Sequence, residues 1–173
     1  SNYLNKKVFS NHINIFEKPN KPEGLGTKPF DGDGVKTFEK PIIKEGMLDT
    51  FLLDTYSARQ LNLKSTANSG YANIIVESTK EMSSNLIESI DDGILVTEMM
   101  GSGANMLTGD YSRGAFGYLI EKGEIKHPVT NFTIASNMLD MFNNIEHIGS
   151  DVYENSKIQC GSVMISDMTI GGN

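Results

Sequence analysis

The sequence predicts an α+β fold with a largely antiparallel, curved or barrel-like β-sheet and about three short helices. Short apolar runs with strand alternation outnumber the segments with helical periodicity. Two of these runs contain a glycine turn of the kind that joins β-hairpins, and strands and helices do not alternate regularly. Hairpins without βαβ units favour antiparallel pairing.

The two hairpin signatures place Gly46 and Gly123 where a positive φ angle is expected, because glycine has no Cβ to oppose it. Further strands are predicted where short apolar runs are bounded by Gly, Asp or Ser. In chain order, the predicted hairpins and strands cover residues 42–48, 73–77, 93–99, 119–125 and 162–165.

Helical periodicity appears three times. Asp54 is predicted to cap a short helix that runs through Leu61. The strongest pattern follows residues 78–81, which have the spacing of a capping box. Its apolar face consists of Met82, Leu86, Ile87 and Ile90. Ser136 is predicted to cap a third helix, which presents to the core Met138, Leu139, Phe142 and Ile145.

The organisation predicted for residues 1–173 is a single domain. Residues 1–29 form a proline-containing, extended lead-in, and residues 30–173 form the main body, which starts with a tight turn at 30–34. The chain begins with Ser1 rather than Met, and Ser1-Asn2 is typical of a cleavage scar. We therefore expect a carboxy-terminal piece of a longer protein whose amino-terminal domain is absent.

The overall charge narrows the class of partner. The formal net charge is −7, from 15 basic and 22 acidic residues, and it repels phosphate backbones, so nucleic acid is not expected as a partner. No apolar run approaches the roughly 18 residues of a membrane span, so no membrane partner is expected. A single cysteine, Cys160, cannot form an intramolecular disulfide, which favours a reducing compartment, and we predict a cytoplasmic protein.

No catalytic residue and no metal site are predicted within this chain. A zinc peptidase needs two histidines on one helical face, and none of His12, His127 and His147 has a partner at the required spacing. Cys160 lies at the start of a predicted strand without an adjacent base or cation, so a buried thiol is favoured. A role for Cys160 as metal ligand or nucleophile is the minor alternative.

Two short segments concentrate polar groups that could either brace a loop or contact a peptide. The first contains Asp54, Tyr56 and Arg59, and the second contains, in the same order, Asp110, Tyr111 and Arg113. An Asp and an Arg so close in sequence could bind a peptide backbone or carboxylate, but they more often satisfy each other. The structural role is therefore favoured, with peptide contact as the alternative.

Several segments together resemble the TldD/PmbA family, in particular its PmbA (TldE) branch. They run in family order from about Phe30 to the end of the chain. The segments are Leu53–Arg59, Ser65-Thr66, Leu95–Glu98, Met100–Gly103, Thr108–Gly114, Thr133–Ala135 and Ile158–Val163. The PmbA branch is favoured by one motif in particular, Gly109-Asp110-Tyr111-Ser112-Arg113-Gly114.

The resemblance implies a role in a two-subunit, cytoplasmic metallopeptidase that acts on unfolded peptides and matures microcin-type peptides. It implies that a TldD-like partner holds the divalent, zinc-type metal through a His-Glu-x-x-x-His helix and a cysteine, and that this piece carries no cofactor. Two alternatives stay open. The parent could be a homodimeric metallopeptidase, with an upstream metal motif and Cys160 as third ligand, or a binding protein that modulates DNA gyrase. The substrate and the interface surface are left open.

Overall fold

The computed structural model describes residues 2–172, which form eleven strands and three short helices. The α+β class, the mainly antiparallel pairing and the three short helices are confirmed. No sheet within the described residues closes into a barrel. No helix in this part of the chain is long and apolar enough to cross a membrane.

The strands are numbered here in chain order. They are β1 (Ile15–Glu17), β2 (Lys40–Lys44), β3 (Met47–Leu48), β4 (Ile74–Val76), β5 (Asp92–Met100), β6 (Asp110–Glu121), β7 (Glu124–Asn137), β8 (Ile145–Ile148), β9 (Ile158–Gln159), β10 (Val163–Ile165) and β11 (Thr169–Gly171). The helices are α1 (Thr55–Gln60), α2 (Ser83–Glu88) and α3 (Met138–Asn143).

The chain divides into two compact units. The first unit comprises Ser1–Thr79 and Asp151–Gly161, and the second comprises Lys80–Ser150 and Ser162–Asn173. The first unit contains a five-stranded sheet in the order β3-β2-β1-β4-β9, in which only the β4–β9 pair is parallel. The second unit contains a four-stranded antiparallel sheet in the order β11-β7-β6-β5 and a separate β8–β10 pair.

Both predicted hairpins are confirmed, and both turn in the same way. The β2–β3 turn has Glu45 at φ 50° and Gly46 at φ 76°, and the β6–β7 turn has Lys122 at φ 52° and Gly123 at φ 75°. Two successive positive φ angles match the right-handed twist of the flanking strands. A side chain at Gly46 would place its Cβ 2.5 Å from the Phe9 carbonyl oxygen, so glycine is needed there.

The hairpin strands β6 and β7 of the second unit are longer than the sequence predicted. Strands β6 and β7 contain 12 and 14 residues. Glycines within β6 and Pro128 within β7 interrupt the apolar alternation, and bulges near Gly117 and Tyr118 absorb the irregularity. The core of this sheet is formed by Ala115, Phe132 and Ile134.

The first helix is confirmed, whereas the predicted starts of the other two are wrong. Helix α2 begins after Met82 without a side-chain cap, because Lys80 has φ 71° and cannot belong to a right-handed first turn. Residues 78–81, which have the spacing of a capping box, therefore precede the helix and do not form its first turn. Asn137 rather than Ser136 caps α3, since its side chain accepts a hydrogen bond from the Leu139 N–H. Ile145 lies in β8, outside that helix.

The lead-in also contains an element that the sequence did not reveal. Strand β1 lies within residues 1–29 and pairs with both β2 and β4. It is only three residues long, so no alternation could mark it. Strands β8, β9 and β11, each of two to four residues, were not predicted either; the start of β8 had been assigned to the third helix.

Candidate functional site

The first polar segment is built around the start of α1. The Asp54 carboxylate accepts a hydrogen bond from the Ser57 N–H at 2.6 Å and so caps the helix. Tyr56 points outward and is 69% exposed, while Ala58 on the opposite side is buried. Of the three predicted residues in this segment, Asp54 thus has a structural role, and Tyr56 offers an exposed phenol.

A neighbouring loop contributes a carboxylate that the sequence analysis did not single out. Asp33 accepts hydrogen bonds from the Thr55 hydroxyl at 2.6 Å and from the Thr55 N–H at 2.9 Å. These bonds, with further contributions from the Ser69 hydroxyl and the charge of Arg59, lower the pKa of Asp33. The loop is thereby fastened to the first turn of α1. The turn signal at 30–34 located the loop but could not show what it contacts.

Asp31 anchors the same loop from inside. Its carboxylate accepts N–H bonds from Asp33 at 3.0 Å, Val35 at 2.8 Å and Ser69 at 3.0 Å. Burial by itself would raise the pKa of Asp31, but the three backbone donors outweigh it, so the pKa lies below its usual value. Asp31 is therefore a structural anion that holds two stretches of chain together.

A buried ion pair lies at the centre of the first unit. The Lys40 ammonium is 2.5 Å from the Glu17 carboxylate, and the two side chains are only 3% and 1% exposed. Glu17 also accepts hydrogen bonds from the Asn68 amide and from the Ala72 N–H. The Lys40 ammonium lies 4.6 Å from the centre of the Phe38 ring. Because Glu17 is so well satisfied, the pair fixes strand β1 against β2 and offers no accessible acid or base.

The second polar segment stabilises the loop between β5 and β6 through hydrogen bonds. The Asp110 carboxylate accepts a hydrogen bond from the Thr108 hydroxyl at 2.7 Å, and the Asn137 side chain donates to the Thr108 carbonyl. Arg113 donates to the carbonyl oxygens of Met99 and Met100, each at 3.3 Å. Asp110 and Arg113 thus do not pair with each other, and both contact their own loop.

Tyr111 completes this segment. Its hydroxyl donates to the Met99 sulfur at 3.3 Å, and its ring packs against the core of the sheet. The loop approaches the strand closely, since a Cβ at Gly103 would lie 2.0 Å from the Ser112 carbonyl oxygen. Asp110, Tyr111 and Arg113 therefore brace the loop, while peptide contact by these residues stays a prediction.

Cys160 is half-buried and unpaired. Burial raises the pKa of its thiol, and the negative charge of Asp151 adds to this effect, so the group is a thiol rather than a thiolate near neutral pH. Within residues 2–172, no three His, Cys, Asp or Glu side chains are grouped closely enough to hold a metal ion. The described residues therefore do not fit a divalent metal among themselves.

A shallow cleft in the first unit has a volume of about 190 Å³. It is smaller than the roughly 300 Å³ at which small-molecule sites usually begin. Its walls are formed by Leu4, Asp49, Thr50, Phe51, Leu53, Leu63, Lys64 and Thr66. The lining mixes four apolar residues with Asp49, Lys64 and two threonines, so it does not define a substrate class.

Comparison with known proteins decides the family. The family described as the PmbA/TldA metallopeptidase C-terminal domain matches residues 1–172. The chain belongs to the PmbA/TldD family. The resemblance found in the sequence motifs is therefore confirmed. Two of those motifs, Leu53–Arg59 and Thr108–Gly114, coincide with the two polar segments described above.

Relatives of this PmbA/TldD family member include the metalloprotease PmbA homologue of Buchnera aphidicola from Acyrthosiphon pisum. The two are 46% identical over 173 residues, which cover 99% of this chain and 39% of the relative. The metalloprotease PmbA of Escherichia coli O157:H7 is 43% identical over 170 residues, or 98% of this chain and 38% of the relative. The chain thus spans about two-fifths of the length of these PmbA proteins.

Relatives named after TldD are more distant. A metalloprotease TldD homologue of Buchnera aphidicola from Schizaphis graminum is 25% identical over 198 residues, which cover 99% of this chain and 41% of the relative.

Among solved structures, a protein from Bacteroides thetaiotaomicron described as a modulator of DNA gyrase superposes with a TM-score of 0.95. It is 30% identical, and the match covers 99% of this chain and 39% of that protein.

Proposed function

We propose that the parent of this chain is a PmbA/TldE-type subunit of a cytoplasmic, two-subunit metallopeptidase that cleaves unfolded peptides. The observation that carries the proposal is the difference in identity between the two branches of the family. PmbA proteins match at 46% and 43%, whereas a TldD homologue matches at 25% over an equally complete alignment. The chain therefore groups with the PmbA branch.

In this proposal the chain is a scaffold around chemistry performed elsewhere. Three of the four charged side chains of the polar segments hold local structure: Asp54 caps α1, Asp110 bonds Thr108, and Arg113 bonds two carbonyl oxygens. The divalent metal belongs to the TldD-type partner, where it would activate water for peptide hydrolysis. Maturation of microcin-type peptides is one proposed use of that activity.

Reconstitution tests the proposal. The purified full-length parent, a TldD-type subunit and their mixture are each incubated with a fluorescently labelled, unfolded polypeptide, with zinc and then with a chelator. We expect metal-dependent cleavage by the mixture and none by the parent alone. Cleavage by the metal-loaded parent alone would contradict the proposal and favour a homodimeric metallopeptidase.

A second candidate is a gyrase-binding role, which is favoured by the description of the Bacteroides thetaiotaomicron structure as a modulator of DNA gyrase. The net charge of −7 disfavours a DNA contact by this part of the parent, so we expect any contact that this chain makes with gyrase to be with the protein. Affinity capture with the full-length parent separates the candidates. Recovery of gyrase without a TldD-type subunit would favour the second.

A further inference from the structure

The end of the second-unit sheet at which β5 turns into β6 is an ordered structure; we call residues 99–110 with 137–139 the loop end. The Asn105 side chain accepts N–H bonds from Leu107 and Thr108, and its carbonyl accepts one from Gly109 at 2.8 Å. The Met138 N–H donates to the Gly109 carbonyl at 2.7 Å, which joins the start of α3 to the loop. The loop therefore has a defined conformation.

This ordered loop presents apolar side chains to solvent. Leu107 is 97% exposed and Met106 is 81% exposed, and Met99, Met100 and Leu139 are exposed at the same end. A well-defined loop that holds large apolar side chains away from its own core is typical of an interaction surface. Methionine is unbranched and polarizable, so a methionine-rich surface can adapt to partners of different shape.

The charge around the loop end selects the kind of partner. Asp110 within the loop end is exposed, and so are Glu98 and Asp140, each of which directly adjoins one of its two segments in sequence. The second unit as a whole has 11 acidic and 4 basic residues. Arg113, three residues beyond the loop end, already donates to the carbonyl oxygens of Met99 and Met100. The field therefore attracts cationic groups and repels anionic lipid and nucleic acid.

We infer that the loop end binds an unfolded polypeptide segment that combines basic and apolar side chains. The apolar side chains of the segment would contact Met106 and Leu107, and its basic side chains would lie near Glu98 and Asp140. An adaptable apolar contact with a surrounding acidic field recognises composition rather than one sequence, which suits a protein that handles unfolded chains. The inference rests on the proposed function and adds to it a binding site and a substrate preference.

The test measures peptide binding by the full-length parent, without a partner subunit and without added metal. The probe is a fluorescein-labelled, unstructured peptide in which lysines and leucines are spaced by glycine and serine. Two matched probes replace its lysines by glutamates or its leucines by serines. Fluorescence anisotropy should show that each matched probe binds about tenfold more weakly than the first probe. Equal binding of all three peptides would overturn the inference.

Variants locate the site. The double substitution Met106→Ser with Leu107→Ser should weaken binding of the lysine–leucine probe about tenfold, because both apolar contacts are lost. The control is Leu25→Ser, which changes a leucine that is 64% exposed in the first unit, and it should leave binding unchanged. All three side chains are exposed, so circular dichroism should show the wild-type fold for both variants. Unchanged affinity of the double variant would contradict the inference.

The charge contribution is tested separately. Glu98→Gln with Asp140→Asn should weaken binding about threefold at low salt and make the affinity less dependent on salt concentration. If the Met106 and Leu107 substitutions instead abolish association with a TldD-type subunit and leave peptide affinity intact, the loop end is a subunit interface and the inference is wrong. Because no cleavage is measured, failure here leaves the reconstitution result unaffected, and absence of cleavage in that experiment leaves the binding result unaffected.

Discussion

The two units of the chain contain equal numbers of acidic residues but differ in how these are balanced. The first unit has 11 acidic and 11 basic residues, whereas the second has 11 and 4. The first unit uses buried carboxylates as structural anchors, notably Glu17 and Asp31. The second is held by an apolar core and by close strand contacts at glycines, and its carboxylates lie at the surface. Stability in the first unit should therefore depend on charge, and in the second on packing.

The largest expected effect breaks the buried ion pair of the first unit. Lys40→Ala should lower the free energy of unfolding by about 3–5 kcal/mol, because it leaves the Glu17 carboxylate buried without its counter-ion. Chemical denaturation followed by circular dichroism measures it. The double variant Glu17→Gln with Lys40→Met should lose less than Lys40→Ala does, since no charge remains unpaired and the glutamine oxygen can still accept the bonds from Asn68 and Ala72. A loss below about 1 kcal/mol for the single variant would show that charge does not hold this unit.

The matching change in the second unit affects packing alone. A Cβ at Gly117 would lie 2.1 Å from the Leu95 carbonyl oxygen on the paired strand, so Gly117→Ala must push β5 and β6 apart. We expect a loss of about 1–3 kcal/mol in the free energy of unfolding, measured by the same denaturation experiment. Gly171→Ala is the control, since no atom lies within 4 Å of the added carbon. Equal stability of the two variants would disprove the close contact.

The third prediction tests, through its pH dependence, whether the Asp31 carboxylate stabilises the first unit as an anion. Asp31→Asn removes an anion that accepts three N–H bonds, and should cost about 1.5 kcal/mol at neutral pH. Because folding lowers the pKa of Asp31, its contribution is complete above the ordinary value of 3.8 and is lost as the pH falls through the lower folded-state value. The stability difference between wild type and variant should therefore shrink in acid.

Unfolding at a series of pH values measures that difference. Glu39→Gln is a matched control in the same unit, because Glu39 is exposed on the surface. It should show no comparable loss at neutral pH. A difference for Asp31→Asn that stays constant from neutral pH down to strongly acidic pH would contradict the assignment of Asp31 as a structural anion.

The sequence predicted the features that depend on neighbouring residues. The two hairpins follow from Gly46 and Gly123, and α1 follows from Asp54, because turn and cap geometry is decided within a few residues. The Glu17–Lys40 pair joins residues on two strands whose pairing no local pattern reveals. The predicted start of α2 was wrong because Lys80 has a left-handed backbone conformation, which the capping-box spacing did not reveal.

In the candidate site, too, the residue types could be found from the sequence, whereas their contacts could not. The polar segments were found because their residue types are concentrated in sequence, yet the contacts of Arg113 with Met99 and Met100 lie across the hairpin. Asp33 was not singled out because its partner, Thr55, is distant in sequence. A pattern of residue types thus located the loops, while their long-range hydrogen bonds required the fold.

The smallest expected effect tests Asp54, a predicted residue whose side chain bonds only within its own helix turn. Asp54→Ala removes the cap of α1 and should lower the free energy of unfolding by about 1 kcal/mol. Asp54→Ser should recover most of the loss, because a serine hydroxyl can accept the same Ser57 N–H bond. Both are measured by denaturation, with peptide cleavage by the reconstituted complex as a second readout. A large loss of cleavage with unchanged stability would show that Asp54 contacts the peptide. A charged group of the first unit would then have a functional role rather than a structural one.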